Sequence, residues 1–190
     1  MRTSLTGVAA IAAVISTSSN AAITEWRIED GGNGHFYDIV VTPLQSWVES
    51  KAQAESMGGY LASIRSAEEN GWLWNAFNIG GTSAYWSHIG PYPGYDGPVF
   101  GAYRDASNVW SWVSGEEWSW SNFNWGSHSG EGCAQFIGGS SYWDDIGVNG
   151  GNSSGGNVAF IIEWNSNPVP GPATLAAFLA ATVSGRRKRR

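Results

Sequence analysis

The rhythm of apolar and polar positions changes near Gly81. Before it, the chain alternates short strand-like runs with helical spacing. Gly34 to Val41 is a β-branched and aromatic run after the turn Gly31-Gly32-Asn33-Gly34, and it predicts a strand. A helix is predicted next, with Thr42 as cap, Pro43 at the first helical position and Gln45 completing a capping box. Leu44, Trp47, Val48, Ala52, Ala54 and Met57 fall on one face of it, and Gly58-Gly59 ends it. Tyr60 to Ile64 predicts a brief strand. A second capping box, Ser66-Ala67-Glu68-Glu69, opens a helix with Trp72, Leu73, Ala76 and Phe77 on one side, stopped by Asn78 to Gly81.

From Ser83 to Gly156 no helical period is legible, and Gly, Pro, Ser and Asn punctuate aromatic fragments. Trp110-Ser111-Trp112-Val113 and Trp118-Ser119-Trp120 alternate apolar with small polar residues, as half-buried strands do. Gly138 to Ser141 turns into Tyr142-Trp143-Asp144-Asp145, and Val158 to Trp164 is a closing strand. No period of about 20–50 residues recurs, so a repeat array is excluded. The pattern predicts an α+β domain: two helices, then a long loop region between small antiparallel sheets.

Both ends differ from this body. Met1-Arg2, the apolar run Val8 to Ile15 and the small residues Ser19 to Ala22 have the layout of a signal peptide over residues 1–22. Residues 168–190 begin with Pro168-Val169-Pro170-Gly171-Pro172, continue as the apolar run Ala173 to Val183 and end in Arg-Arg-Lys-Arg-Arg. As a helix, that eleven-residue run would reach about 16 Å, short of the roughly 30 Å hydrocarbon core. The three-part order, with Val169, Pro170, Gly171 and Pro172 as its motif, resembles the PEP-CTERM sorting signal of exopolysaccharide-producing bacteria. That resemblance implies an exosortase-type processing enzyme as partner, transient membrane association through the C-terminal tail, and export to the cell envelope or extracellular space. The body between the two segments is residues 23–167.

Charge sharpens the picture. All sixteen Asp and Glu lie between Glu25 and Glu163, against four basic residues there (Arg27, Lys51, Arg65 and Arg104), so the body carries a net charge near −12. Such a surface repels phosphate backbones and excludes nucleic acid as a partner. Cys133 is the only cysteine, so no disulfide can form within the chain. Stability must come from packing, for which twelve tryptophans supply the material.

Trp47-x4-Ala52-x-Ala54-x3-Gly58-Gly59-Tyr60-Leu61-Ala62-Ser63-Ile64-Arg65-Ser66-Ala67-Glu68-Glu69-Asn70 resembles the helix–turn–strand–helix signature of C-type lectin-like domains. Tyr85 to Gly90, Trp110-x-Trp112-Val113-Ser114-Gly115, Asn124-Trp125, Glu131-Gly132-Cys133, Trp143-Asp144-Asp145 and Phe160-Ile161-Ile162-Glu163 resemble that family's later landmarks, in order. The resemblance spans residues 34–164 and implies the C-type lectin-like fold. It also places the family's bridging cysteines at Ala54 and Ile162, and the partner of Cys133 near Gly147 or Val148, where none is a cysteine. Cys133 is left as a small buried hydrophobe, an intermolecular disulfide or a reactive thiol.

The same resemblance implies a candidate calcium site at Glu131, Asp144 and Asp145, with Asn149 and Asn152 in the following loop. Calcium takes six to eight oxygen ligands, several of them charged. The Glu-Pro-Asn or Gln-Pro-Asp triplet expected before Cys133 is absent, and Gly126-Ser127-His128-Ser129-Gly130 stands there instead. The other reading of Asp144 and Asp145 is a strand end whose carboxylates bond loop backbone or face water. Aromatic faces can also hold sugar rings without a metal, and Tyr92, Tyr95, Trp118 and Trp120 are the candidates. Trp47, Trp72, Trp112 and Trp125 are expected in the core. Catalysis is not expected: adjacent Asp144 and Asp145 would face opposite sides of a strand, and His35, His88 and His128 lack metal-ligand spacing. The function expected is recognition of carbohydrate or extracellular polysaccharide by an exported module. The alternative is a protein-interaction or extracellular-matrix structural module on the same fold.

Overall fold

The computed structural model describes residues 23–87, 96–124, 131–147 and 156–168. The predicted signal peptide and the sorting motif Val169 to Pro172 lie outside the described residues. The elements, in order, are β1 (Thr24–Glu25), β2 (Phe36–Gln45), α1 (Trp47–Ser56), β3 (Tyr60–Leu61), α2 (Ala67–Ala76), β4 (Asp96–Arg104), β5 (Trp110–Trp112), β6 (Cys133–Ile137), β7 (Trp143–Ile146) and β8 (Asn157–Trp164). The strands form one sheet in the order β1-β2-β8-β4-β6-β7, with β3 added to β8 and β5 to β4. The first and last long strands are therefore neighbours, paired antiparallel from Phe36↔Trp164 to Gln45↔Asn157. Among the described residues no helix is long and apolar enough to cross a membrane.

The first helix starts later than predicted. Strand β2 runs on through Pro43, and Ser46 is the cap: its hydroxyl accepts from Glu49 N–H while the Glu49 carboxylate reaches back to Ser46 N–H. Pro43 cannot donate to a ladder, and it falls where the β2–β8 register shifts between Val41 and Gln45. The shift of start rotates the predicted face: Leu44 and Val48 are exposed, while Trp47, Ser50 and Ala54 are buried. Gly58 then ends the helix in the left-handed region, at φ 79°.

The second helix keeps the predicted cap but only half the predicted box. Ser66 Oγ accepts from Glu69 N–H at 3.1 Å. The Glu69 carboxylate turns inward instead and accepts from Arg65 N–H at 2.8 Å.

Two apolar clusters fill the body. The larger gathers Tyr37, Ile39, Leu73, Phe100, Trp112, Phe136 and Trp143; the smaller holds Trp47, Ala54, Leu61, Cys133, Phe160 and Ile162. Ala54 and Ile162, where the resemblance places a bridge, are both fully buried in that smaller cluster, so packing occupies the place of the crosslink. Cys133 is buried with them in the apolar cluster, and burial pushes its thiol up to about 12. Gly101 lets β4 close on the end of β3, since a Cβ there would sit 2.3 Å from Leu61 O.

Candidate functional site

Strand β7 carries the two aspartates of the expected site. Asp144 lies opposite Gln135 and Asp145 opposite Ala134 on β6, so their side chains leave opposite faces of the sheet. Both are buried. Asp145 Oδ2 stands 3.5 Å from Arg104 Nη2, and that guanidinium also donates to Asn108 Oδ1 and covers the Trp110 ring at 5.0 Å. A cation at Asp145 would have to share the carboxylate with this guanidinium. Glu131 precedes β6 and is partly buried; beside it Gly132 N–H donates to Ile146 O, and Gly132 O accepts from Arg104 N–H. Among the described residues no group of three or more His, Cys, Asp or Glu side chains is placed to hold a metal ion. Asn149 and Asn152 lie outside the described residues, as do Tyr92, Tyr95 and Trp125.

Trp118 and Trp120 are not on a strand. They belong to an irregular segment that two backbone bonds lay along β7: Trp143 N–H donates to Asn122 O at 3.0 Å and Asn124 N–H to Trp143 O at 3.1 Å. The side-chain amide of Asn122 adds a bond to Ser141 O. This seats the indoles on Trp143, the hub of the aromatic core. Trp120 meets it edge-on with ring centroids 5.1 Å apart, and Trp118 lies at 6.5 Å. Trp118 is also stacked on Trp110 at 5.7 Å and tilted against Trp112 at 4.6 Å. Both Trp118 and Trp120 remain partly exposed.

Two further residues lie beside Trp143 and Asp145 that the sequence did not single out. Tyr142, immediately before Trp143, is 48 % exposed; an aromatic directly after a Gly-Gly-Ser-Ser turn was the available signal. Arg104 was visible only as one of four basic residues in an acidic body, and its seat between Asp145 and Trp110 needed the β4–β5 pairing. Partly exposed indoles thus stand beside a buried carboxylate–guanidinium pair, with an exposed phenol on the residue before Trp143. Indoles and phenols can lie against the apolar face of a ring and hydrogen-bond its hydroxyls.

No family model matches the sequence. Solved structures do match. Human lithostathine is 17% identical, with a TM-score of 0.54 over 71% of this chain and 94% of its own. A Ca2+-independent C-type lectin from Saxidomus purpuratus is 19% identical, with a TM-score of 0.54 over 70% of this chain and 88% of its own. The carbohydrate-recognition domain of the mouse scavenger receptor C-type lectin is 19% identical, with a TM-score of 0.51 over 70% and 92%. The chain has the C-type lectin-like fold.

Proposed function

We propose that this C-type lectin-like domain is an exported, envelope-sorted module that binds extracellular carbohydrate through the aromatic face beside β7. One observation carries the reading: the segment from Trp118 to Asn124 is bonded along β7, which seats Trp118 and Trp120 on Trp143, immediately after the exposed Tyr142. One of the matching structures is a carbohydrate-recognition domain, and another is a Ca2+-independent lectin. The binding step proposed is ring stacking with hydroxyl hydrogen bonds, without a calcium ion, since Asp145 is already paired with Arg104. Export and sorting, with an exosortase-type enzyme acting on residues 168–190, are proposed from the two ends of the sequence. Mass spectrometry of the secreted protein tests them by finding its first and last residues.

The test of binding is affinity electrophoresis of residues 23–167 in gels cast with the producing cell's extracellular polysaccharide, run with calcium and with chelator. Retardation in both, reduced in Trp120→Ala and Tyr142→Ala, supports the reading. Retardation only with calcium, lost in Asp144→Asn, moves the site to the carboxylates. No retardation in either favours the second reading, a protein-interaction or extracellular-matrix structural module. The stacking of Trp118 on Trp110, which covers one indole face, speaks for that second reading.

A further inference from the structure

Away from the aromatic face, two buried carboxylates converge on one phenol. Tyr37 of β2 donates its hydroxyl to Glu69 Oε1 of α2 at 2.6 Å, and the same oxygen lies 3.2 Å from Glu163 Oε1 of β8. A hydroxyl has one hydrogen, so it can serve only one of these acceptors at a time. Asn33 Nδ2 donates to Tyr37 Oη at 2.7 Å and to Glu69 Oε1 at 3.1 Å. The outer oxygens are each held by a backbone donor: Ser63 N–H to Glu163 Oε2 and Arg65 N–H to Glu69 Oε2, both at 2.8 Å. His35, before β2, places Nδ1 2.5 Å from Glu163 Oε1. Tyr37, Glu69 and Glu163 are almost wholly buried.

The surrounding charges do not neutralise the pair. The Arg65 guanidinium points to Glu116, with Nε 3.2 Å from its carboxylate, and Glu116 adds a further negative charge near His35. The remaining titratable neighbour, Tyr60 of β3, stays neutral because burial and Glu163 push its phenol up. With both carboxylates ionised and His35 neutral, the cluster holds two negative charges out of water, an expensive arrangement. It becomes neutral on taking two protons, one on His35 and one on Glu69.

We propose that Tyr37, Glu69, Glu163 and His35 form a proton-operated clasp, which holds β2, β8 and α2 together while it carries two protons and loosens them as those protons leave. The clasp joins the first and last long strands to the second helix at the end of the body where Ala54 and Ile162 offer no crosslink. It also reaches the chain that leads into the aromatic segment, at Ser114 and Glu116. Arg65 is tied to Glu116, and Ser114 Oγ both donates to Glu116 Oε2 and sits 2.7 Å from Ser63 Oγ. Burial pushes Glu69 up to about 7, and the bond to Glu163 raises His35 above its ordinary value. Both shifts have one sign. The native state binds more protons than the unfolded chain, so stability present under mildly acidic conditions is lost as pH rises through these values.

The experiment follows the melting temperature of residues 23–167 between about pH 6.5 and about pH 8.5, a window above the titration of most other carboxyls. Asp38, which burial pushes to about 6, is largely ionised before the window opens. The wild type is expected to lose several degrees across it, about 3 °C or more for a domain of this size. Glu69→Gln, which keeps the shape and removes the charge but turns one of the two acceptor oxygens into a donor, is expected to lose less than half as much. The His35 ring, assigned in the proton NMR spectrum by its disappearance in His35→Asn, is expected to titrate above its ordinary value. A wild-type melting temperature that stays level, a Glu69→Gln slope equal to the wild type's, or a His35 midpoint at or below the ordinary value each overturns the clasp. If Glu69→Gln does not fold, the wild-type slope and the His35 midpoint decide between the two outcomes.

Discussion

Trp143 donates its indole N–H to Asn70 Oδ1 at 2.8 Å, and both side chains are buried. That single bond ties strand β7, which bears the candidate face, to helix α2. Asn70 completes the link by donating its amide to Ser141 O at 3.1 Å. Replacing Asn70 with Leu removes both bonds and leaves the indole N–H enclosed without an acceptor, which costs about 1–3 kcal/mol for such a group. Urea unfolding of Asn70→Leu is expected to show a loss of about 2 kcal/mol or more, with an unchanged m-value. A loss under about 0.5 kcal/mol would mean that the bond carries no weight.

The start of α1 gives a test that separates the sequence expectation from the structure. Ser46 caps the helix through a closed capping box, whereas Thr42 sits in β2 with a buried hydroxyl that has no partner among the described residues. Ser46→Ala is expected to cost about 1 kcal/mol in denaturant unfolding. Thr42→Val is expected to be neutral or stabilising, because it removes an unpaired buried hydroxyl at nearly constant volume. A larger loss in Thr42→Val than in Ser46→Ala would restore the predicted start.

Both helices were legible because each begins at a capping residue and carries apolar residues at helical spacing, but their details needed tertiary partners. Pro43 reads as a helix start in isolation; only the pairing of Gln45 with Asn157 shows that β2 continues past it. Strand β4 was not legible at all. Asp96-Gly97-Pro98 and Gly101 look like loop punctuation, yet the strand is central to the sheet. Pro98 falls in the register shift between Asp96 and Val99, and Gly101 is required by the close passage of Leu61 O. The alternation in Trp118-Ser119-Trp120 came from packing on Trp143 in an irregular segment, which mimics a strand's period without its pairing. Of the candidate site, the positions of Asp144 and Asp145 were readable from one motif, while Arg104, the partner of Asp145, depended on a strand the sequence concealed.

Cys133 offers a chemical check of the core. Its sulfur is enclosed, and burial pushes the thiol up to about 12, so the thiolate fraction at neutral pH is negligible. A disulfide reagent is expected to leave the native protein unmodified over hours and to label it fully in denaturant. Cys133→Ala should cost less than Cys133→Ser, since serine would bury a hydroxyl in an apolar cluster. Rapid labelling of the native state would return the reactive-thiol reading.

Asp38 is a buried carboxyl on β2 whose pKa burial raises from 3.8 to about 6, offset in part by the bond from Ile39 N–H. A raised folded-state value means that the native chain holds the proton more tightly than the unfolded one. The associated stability is complete below about pH 4 and is lost as pH rises through about 6. Asp38→Asn keeps an acceptor for Ile39 N–H and removes the charge. Its melting temperature is expected to match the wild type near pH 4 and to exceed it near pH 7, by roughly a few degrees. An equal difference at both pH values would place the effect in packing and not in the charge.

Trp118 and Trp120 share one segment but not one environment, which makes their roles separable. Trp118 packs on Trp110, Trp112 and Trp143, whereas among the described residues the ring contact of Trp120 is the edge-on one with Trp143. Truncating Trp118 removes three aromatic contacts, each worth about 0.5–1.5 kcal/mol beyond area, and opens a cavity among them. Trp118→Ala is therefore expected to cost about 3 kcal/mol of stability and to lower any binding only through misfolding. Trp120→Ala removes one such contact and is expected to cost about 1 kcal/mol, yet to reduce retention on polysaccharide if the face binds sugar rings. Denaturant unfolding and affinity electrophoresis on the same samples give both quantities. A Trp120→Ala protein that folds, melts near the wild type and binds as before would remove this indole from the site and leave Tyr142 as the aromatic to examine.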